Sequence, residues 1–269
     1  MAALAPAGAT VREHLPQTLT LVPQAPSQPA EQPSPIDHVL RQNGLEPGSK
    51  KAQIVAAWLE KVHTDPAIKR AVPGGPDALH RILSDANTRD SLMTNGLARL
   101  SPADRLRYLK VYTRILDEQV PVNCFGVSDM GEVMDRITLG AMAQGEIEEY
   151  LGLLYKVIVK SASSSALPTP TQRQYEKAQG ILTRALVNEL AGDSNNIERY
   201  RYLALHPESA TPADMCWVTR VTLHAVLSMP DPYRDFIVLP AMTKDSEIIP
   251  SRGKKTDSDF RRPPPTQTP

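Results

Sequence analysis

Aromatic side chains are scarce in this chain, 5% of 269 residues, so a core must be filled by Leu, Val, Ile, Met and Ala. Cysteine is nearly absent: Cys124 and Cys216 are the only two. Their number excludes a four-cysteine zinc site, and their separation excludes a finger of two cysteines and two histidines. Two readings of the pair stay open: reduced buried thiols, or one disulfide closing a long loop in an oxidising compartment. Net charge is missing as well, because 30 basic residues balance 30 acidic ones. No global field therefore draws the chain to nucleic acid or anionic lipid, and specific nucleic-acid binding is not expected.

Long apolar runs are lacking too. The most apolar stretch, residues 150–159, is too short to span a bilayer and carries Lys156, so no transmembrane segment is expected. The opening MAALAPAGATVREHL has no basic segment and no apolar core of signal-peptide length. Cytoplasmic placement is the resulting expectation, with a periplasmic or secreted mature form as the alternative. The phosphate-loop, dinucleotide and nucleophile-elbow signatures are all missing, and no cofactor is expected.

What is present is helical patterning. The best-specified stretch is residues 101–124, SPADRLRYLKVYTRILDEQVPVNC. Ser101 can cap, Pro102 suits the first helical position, and Asp104 faces the positive helix end. Leu106, Leu109, Val111, Ile115 and Leu116 follow at helical spacing, with Tyr108 and Tyr112 one turn apart on a flank. Asp117 and Glu118 oppose the negative helix end, so Pro121 must supply the stop. This predicts a central amphipathic helix buried along one face.

Ser34 caps a short helix ended by Gly44, and Ser49 starts a second whose apolar face is Ile54, Val55, Trp58, Leu59 and Val62. Asp65-Pro66 restarts the chain, and PGGP at 73–76 breaks it. A helix with Leu79, Ile82 and Leu83 follows, then a polar one closed by Asn95-Gly96. Ser128 caps a helix with Met130, Val133, Met134 and Ile137. After a break at Gly145 comes a helix over 146–160, and residues 161–170, SASSSALPTP, form a flexible linker. Thr169-Pro170-Thr171-Gln172 reads as a capping box opening the next helix, which Gly192 ends. A short helix over 196–205 stops at Pro207. Thr211-Pro212-Ala213-Asp214 repeats the SPAD start of the central helix. The apolar run 236–239 is expected as an extended strap.

No segment alternates with period two. The fold class is all-α, a multi-helix bundle of about ten helices. Its organisation is a disordered Pro-rich tail over 1–34, an N-terminal helical region over 35–100, a tighter C-terminal bundle over 101–245, and a disordered basic, Pro-rich tail over 246–269. Residues 1–34, acid-poor and rich in Pro, Ser and Gln, resemble in composition the leaders of proteins exported by needle-type secretion machines. Within them TLTLV, residues 18–22, can add as a strand to a partner's sheet.

Candidate chemistry is sparse. Glu60 and His63 form one Glu-x-x-His, where a di-iron bundle needs two, and read as a surface pair. Glu146, Glu148 and Glu149 are carboxylates expected at a helix start, and only the first and third share a face. His224 lies two turns from Cys216, too far to share a metal or a proton. Tyr200 and Tyr202 flank Arg201, too little for a stacking surface. Lys254, Lys255, Arg261 and Arg262 make a candidate partner-binding tail beside Pro263-Pro264-Pro265. Cys124 and Cys216 are the candidate disulfide. The two Pro-Ala-Asp helices, if packed antiparallel, bring the end of one beside the start of the other and the two sulfurs together.

The leading functional reading is a non-enzymatic helical interaction or scaffold protein with a protein partner. The alternative is a secreted or envelope bacterial protein, virulence effectors included. The third is an enzyme using Cys124 or a histidine as its reactive group.

Overall fold

The computed structural model describes residues 35–72 and 74–242, and among them every regular element is helical. The order is α1 (Pro35–Gln42), α2 (Lys50–Thr64), α3 (Pro66–Ala71), α4 (Gly75–Ser84), α5 (Ala86–Ala98), α6 (Pro102–Glu118), α7 (Met130–Asp135), α8 (Gln144–Ser161), α9 (Gln172–Glu189), α10 (Ser194–Leu205), α11 (Pro212–Ser228) and α12 (Tyr233–Met242). Three single 3-10 turns, Cys124–Gly126, Leu139–Ala141 and Pro207–Ser209, lie between them. The expected tails at 1–34 and 246–269 fall outside the described residues, as do TLTLV and the basic cluster Lys254, Lys255, Arg261 and Arg262.

Helix starts follow local chemistry. Ser49, Asp65, Asp85, Ser101, Asp129, Thr171, Asp193 and Thr211 each accept a hydrogen bond from a backbone N–H of the first turn. Several boundaries differ from the sequence reading, among them the start of α10, which is Ser194 behind an Asp193 cap where 196 was expected. Asp129, one residue past Ser128, caps α7, since its carboxylate reaches Glu132 N at 2.8 Å. The box opening α9 is Thr171 with Gln174, which leaves Pro170 outside the helix. Gly145 lies inside the first turn of α8, where the Glu146 carboxylate accepts from Ala143 N at 2.9 Å.

Asn95-Gly96 does not close α5, which continues to Ala98. Gly96 is the point where α5 crosses α8: a Cβ there would lie 2.3 Å from the Val157 carbonyl oxygen. The glycine is needed for close approach, and no turn is made.

Helix α6 is the hub, and it is buried around most of its circumference, where the pattern predicted one face. Val111 and Ile115 join Leu45, Val55, Ile147 and Leu151 in one apolar cluster. Tyr108 borders a second around Ile68, Leu79, Val157 and Ile158. Leu116 belongs to a third with Val133 and both cysteines, and Leu109 to a fourth with Val226 and Val238. Helices from the 35–100 and 101–245 regions thus share the first two clusters.

Helix ends are closed by a device that crosses between helices. A helix leaves its last carbonyls without partners. Here an arginine from a later helix supplies the donors. Arg105 of α6 donates to Ala98 O and Leu100 O beyond α5, at 2.9 and 2.6 Å. Arg220 of α11 donates to Leu116 O of α6 and to Val120 O just beyond it, each at 2.6 Å. Arg234 of α12 donates to Val226, Leu227 and Met229 carbonyls at the end of α11. The same anchoring explains why 236–239 is helical. Arg234 docks on α11, Asp235 receives both Arg105 Nε and Nη2 at 3.1 and 3.0 Å, and Val238 and Leu239 turn inward.

Candidate functional site at the disulfide-closed end

Helices α6 and α11 run antiparallel. Arg220 meets Leu116 and Val120, while further along α11 Val226 packs with Leu109. His224 Nε2 lies 2.9 Å from Asp117 Oδ2, and Arg220 Nε lies 3.7 Å from Asp117 Oδ1. Asp117, misplaced for the dipole of its own helix, is therefore matched by the Arg220 guanidinium and the His224 imidazole of the neighbouring one. This packing brings Cys124 and Cys216 into a disulfide, with Cα atoms 5.7 Å apart and both residues fully buried. Cys124 has no thiol, so it cannot serve as the nucleophile that the enzyme reading assigned to it.

The loop carrying Cys124 has an unusual backbone. Cys124, Phe125 and Gly126 have successive φ values of 50°, 54° and 78°. Only glycine adopts this region without cost, so the first two residues are held there by their surroundings. The bridge holds one, and Arg136 Nη1 binds the Phe125 carbonyl at 3.0 Å. Val122, two residues before the cysteine, is 79% exposed.

Helix α10 leads through the Pro207–Ser209 turn into the start of α11, and so into the same junction. Its inner side is well anchored. The Tyr200 hydroxyl and Thr222 Oγ1 are 2.7 Å apart, Arg199 lies over the Trp217 ring and 2.5 Å from Asp214, and Leu203 is buried. Hydrogen bonds from Thr211 and Arg199 hold the Asp214 carboxyl down to about 2. The outer side presents Glu198, Arg201, Tyr202 and Leu205 at helical spacing. Tyr202 and Leu205 are 52% and 64% exposed; with Val122 they are the most exposed large apolar side chains among the described residues. Tyr200 and Tyr202, adjacent to Arg201 in sequence, thus face opposite ways.

The other sequence candidates resolve into structural roles. Glu146 and Glu149 pair with Arg114 at 2.5 and 3.2 Å, and Glu148 accepts from Gln144. Glu60 and His63 are exposed on α2. No group of three or more metal-ligating side chains occurs among the described residues. Nor is any described helix long and apolar enough to cross a membrane.

Sequence reasoning missed one feature. A cavity of about 330 Å³ opens between α5, α6, α7 and α8. Its walls carry Tyr108, Tyr112 and Tyr150, and Met93, Met130, Met134 and Met142. The Tyr108–Tyr112 pair was legible as a one-turn spacing, but the other walls come from α5 before it and from α7 and α8 after it. No protein-family model, curated protein or solved structure matches this chain.

Proposed function

We propose that this chain is a non-enzymatic helical interaction protein whose recognition surface is the end closed by the Cys124–Cys216 bridge. One observation carries the reading. Val122 stands exposed two residues before Cys124, where the disulfide and a left-handed turn hold the backbone, and Tyr202 and Leu205 stand exposed on α10, which is anchored to the helix that carries Cys216. Tyr202 and Arg201 are residue types enriched in binding hot spots. Pre-organisation lowers the ordering cost of association.

The test is photo-crosslinking in the native host, with a benzophenone amino acid placed at Val122, at Leu205, or at the exposed Lys69 on α3. One discrete adduct is expected from the first two positions. It should be absent from the third and lost in the Cys124→Ser/Cys216→Ser chain. Equal labelling at all three positions, or none at the first two, would overturn the assignment.

A second reading, a secreted or envelope protein, is supported by the bridge itself, because disulfides persist mainly in oxidising compartments. Protein isolated from its host without reductant and then denatured should show no free thiol. Two free thiols would remove this support.

A further inference from the structure

The cavity between α5, α6, α7 and α8 adjoins the disulfide, since Met130 of its wall has Sδ 3.9 Å from Cys124 Sγ, but it has a composition of its own. The chain has 8 methionines and 8 tyrosines. Four of the former and three of the latter line this one space. Methionine is flexible and polarizable, shapes itself to an irregular guest, and makes favourable sulfur–aromatic contacts. A wall of methionines facing tyrosine rings is therefore suited to a flat aromatic guest held between them.

The tyrosines add polar handles. Tyr108, Tyr112 and Tyr150 are surrounded closely enough that burial raises the pKa of each phenol. They stay neutral donors at physiological pH. Among the described residues no protein group hydrogen-bonds to any of their hydroxyls, although Tyr108 and Tyr112 stack on each other at 6.4 Å between centroids. All three tyrosines are half-buried and line the cavity. None of the three hydroxyls is a buried group without a partner, so each is accessible and free to donate to water or to a guest.

Size and charge narrow the guest. An apolar cavity of about 150 Å³ accepts one benzene ring. The 330 Å³ here is about twice that. At the rim Arg89 is already paired with Asp135 at 3.0 Å, and Asp90 stands beside it. An anionic guest would meet two carboxylates and a cation that is already neutralised.

We propose that this cavity binds an uncharged planar aromatic molecule of about two rings that carries a hydroxyl or carbonyl group. The rings lie against the methionines, and the polar group bonds to the tyrosine hydroxyls.

The test titrates the intact oxidised protein with 2-naphthol, naphthalene and 2-naphthoate. 2-Naphthol should bind saturably at one to one, and 2-naphthoate at least about tenfold more weakly. Tyr108→Phe/Tyr150→Phe should weaken 2-naphthol severalfold and leave naphthalene unchanged. Met134→Trp should fill the space and abolish binding. Should that variant fail to fold, methyl NMR of the wild-type chain serves instead: 2-naphthol should shift the methyls of Met93, Met130, Met134 and Met142 and leave Met215 and Met229 in place. Absence of saturable binding, equal binding of the anion, binding that survives in folded Met134→Trp, or shifts confined to the other methionines would each overturn the proposal.

Discussion

Gly96 shows how much one residue can decide. A Cβ at this position would lie 2.3 Å from Val157 O and 2.8 Å from its carbonyl carbon, and backbone cannot rotate away as a side chain can. Gly96→Ala should therefore destabilise by about 3 kcal/mol, as overpacking does, despite alanine's better helix propensity. A urea melt checks it. A gain of stability would mean that α5 and α8 can separate at no cost. Gly140 is a second such position, since a Cβ there would meet the Gly44 carbonyl oxygen at 2.1 Å. The peptide N–H of Gly140 bonds to Asn43 O, fixing the chain before α8 against the end of α1.

At the scale of elements, three arginines replace the usual glycine-type ends of α5, α6 and α11, and the helices are thereby ordered in space as well as terminated. Arg105 is the most committed of them. Its side chain is 4% exposed; it satisfies two carbonyls and holds Asp235 in a forked pair. Replacing the pair jointly by apolar residues can be nearly neutral, but removing one partner leaves the other charge buried. Arg105→Met should cost about 3–5 kcal/mol. Arg105→Lys should recover little of it, because an ammonium cannot make the fork or reach both carbonyls. Limited proteolysis should then cut first in or beside α12, which loses its anchor to α6. Protection of α12 equal to that in the wild-type chain would show that its apolar packing suffices.

At the scale of the whole molecule, the bridge closes a sequence separation of 92 residues. In the chain-entropy account such a loop contributes about 4–5 kcal/mol. The double serine variant should lose that amount in chemical denaturation while keeping its helical circular dichroism. Acid acts through a different set of groups. Asp214 is lowered to about 2 by Thr211 and Arg199, Asp104 is lowered first by its bond to Lys156, and Asp65 first by Tyr155. A carboxyl whose folded pKa is depressed stabilises the fold above its unfolded pKa, ordinarily 3.8, and loses that contribution as pH falls through the folded value. The urea midpoint should hold from pH 7 to about 4 and fall between about 4 and 2. Asp214→Asn should flatten the fall. An unchanged midpoint at pH 2.5 would contradict the role given to these carboxyls.

The sequence alone determined the features that depend on a few consecutive residues. Ser101 and Thr211 capped where their Pro-Ala-Asp followers placed them, the α2 face turned inward, and the all-helical class followed from the periodicity, because a cap or a stripe is settled within one turn of backbone. The tertiary structure decided what depends on a partner. Gly96 reads as a terminator until α8 is laid across it. The run 236–239 reads as a strap until Arg105 and the end of α11 anchor a helix there. Asp117 reads as misplaced until Arg220 and His224 arrive. The cavity had no signature, since its tyrosines and methionines come from four helices and the segment before α8, and enclose a space only after packing. The disulfide stands between the two. Its cysteines were visible and its geometry was conditional on antiparallel packing of α6 and α11, which is a property of facing surfaces and of no single stretch of chain.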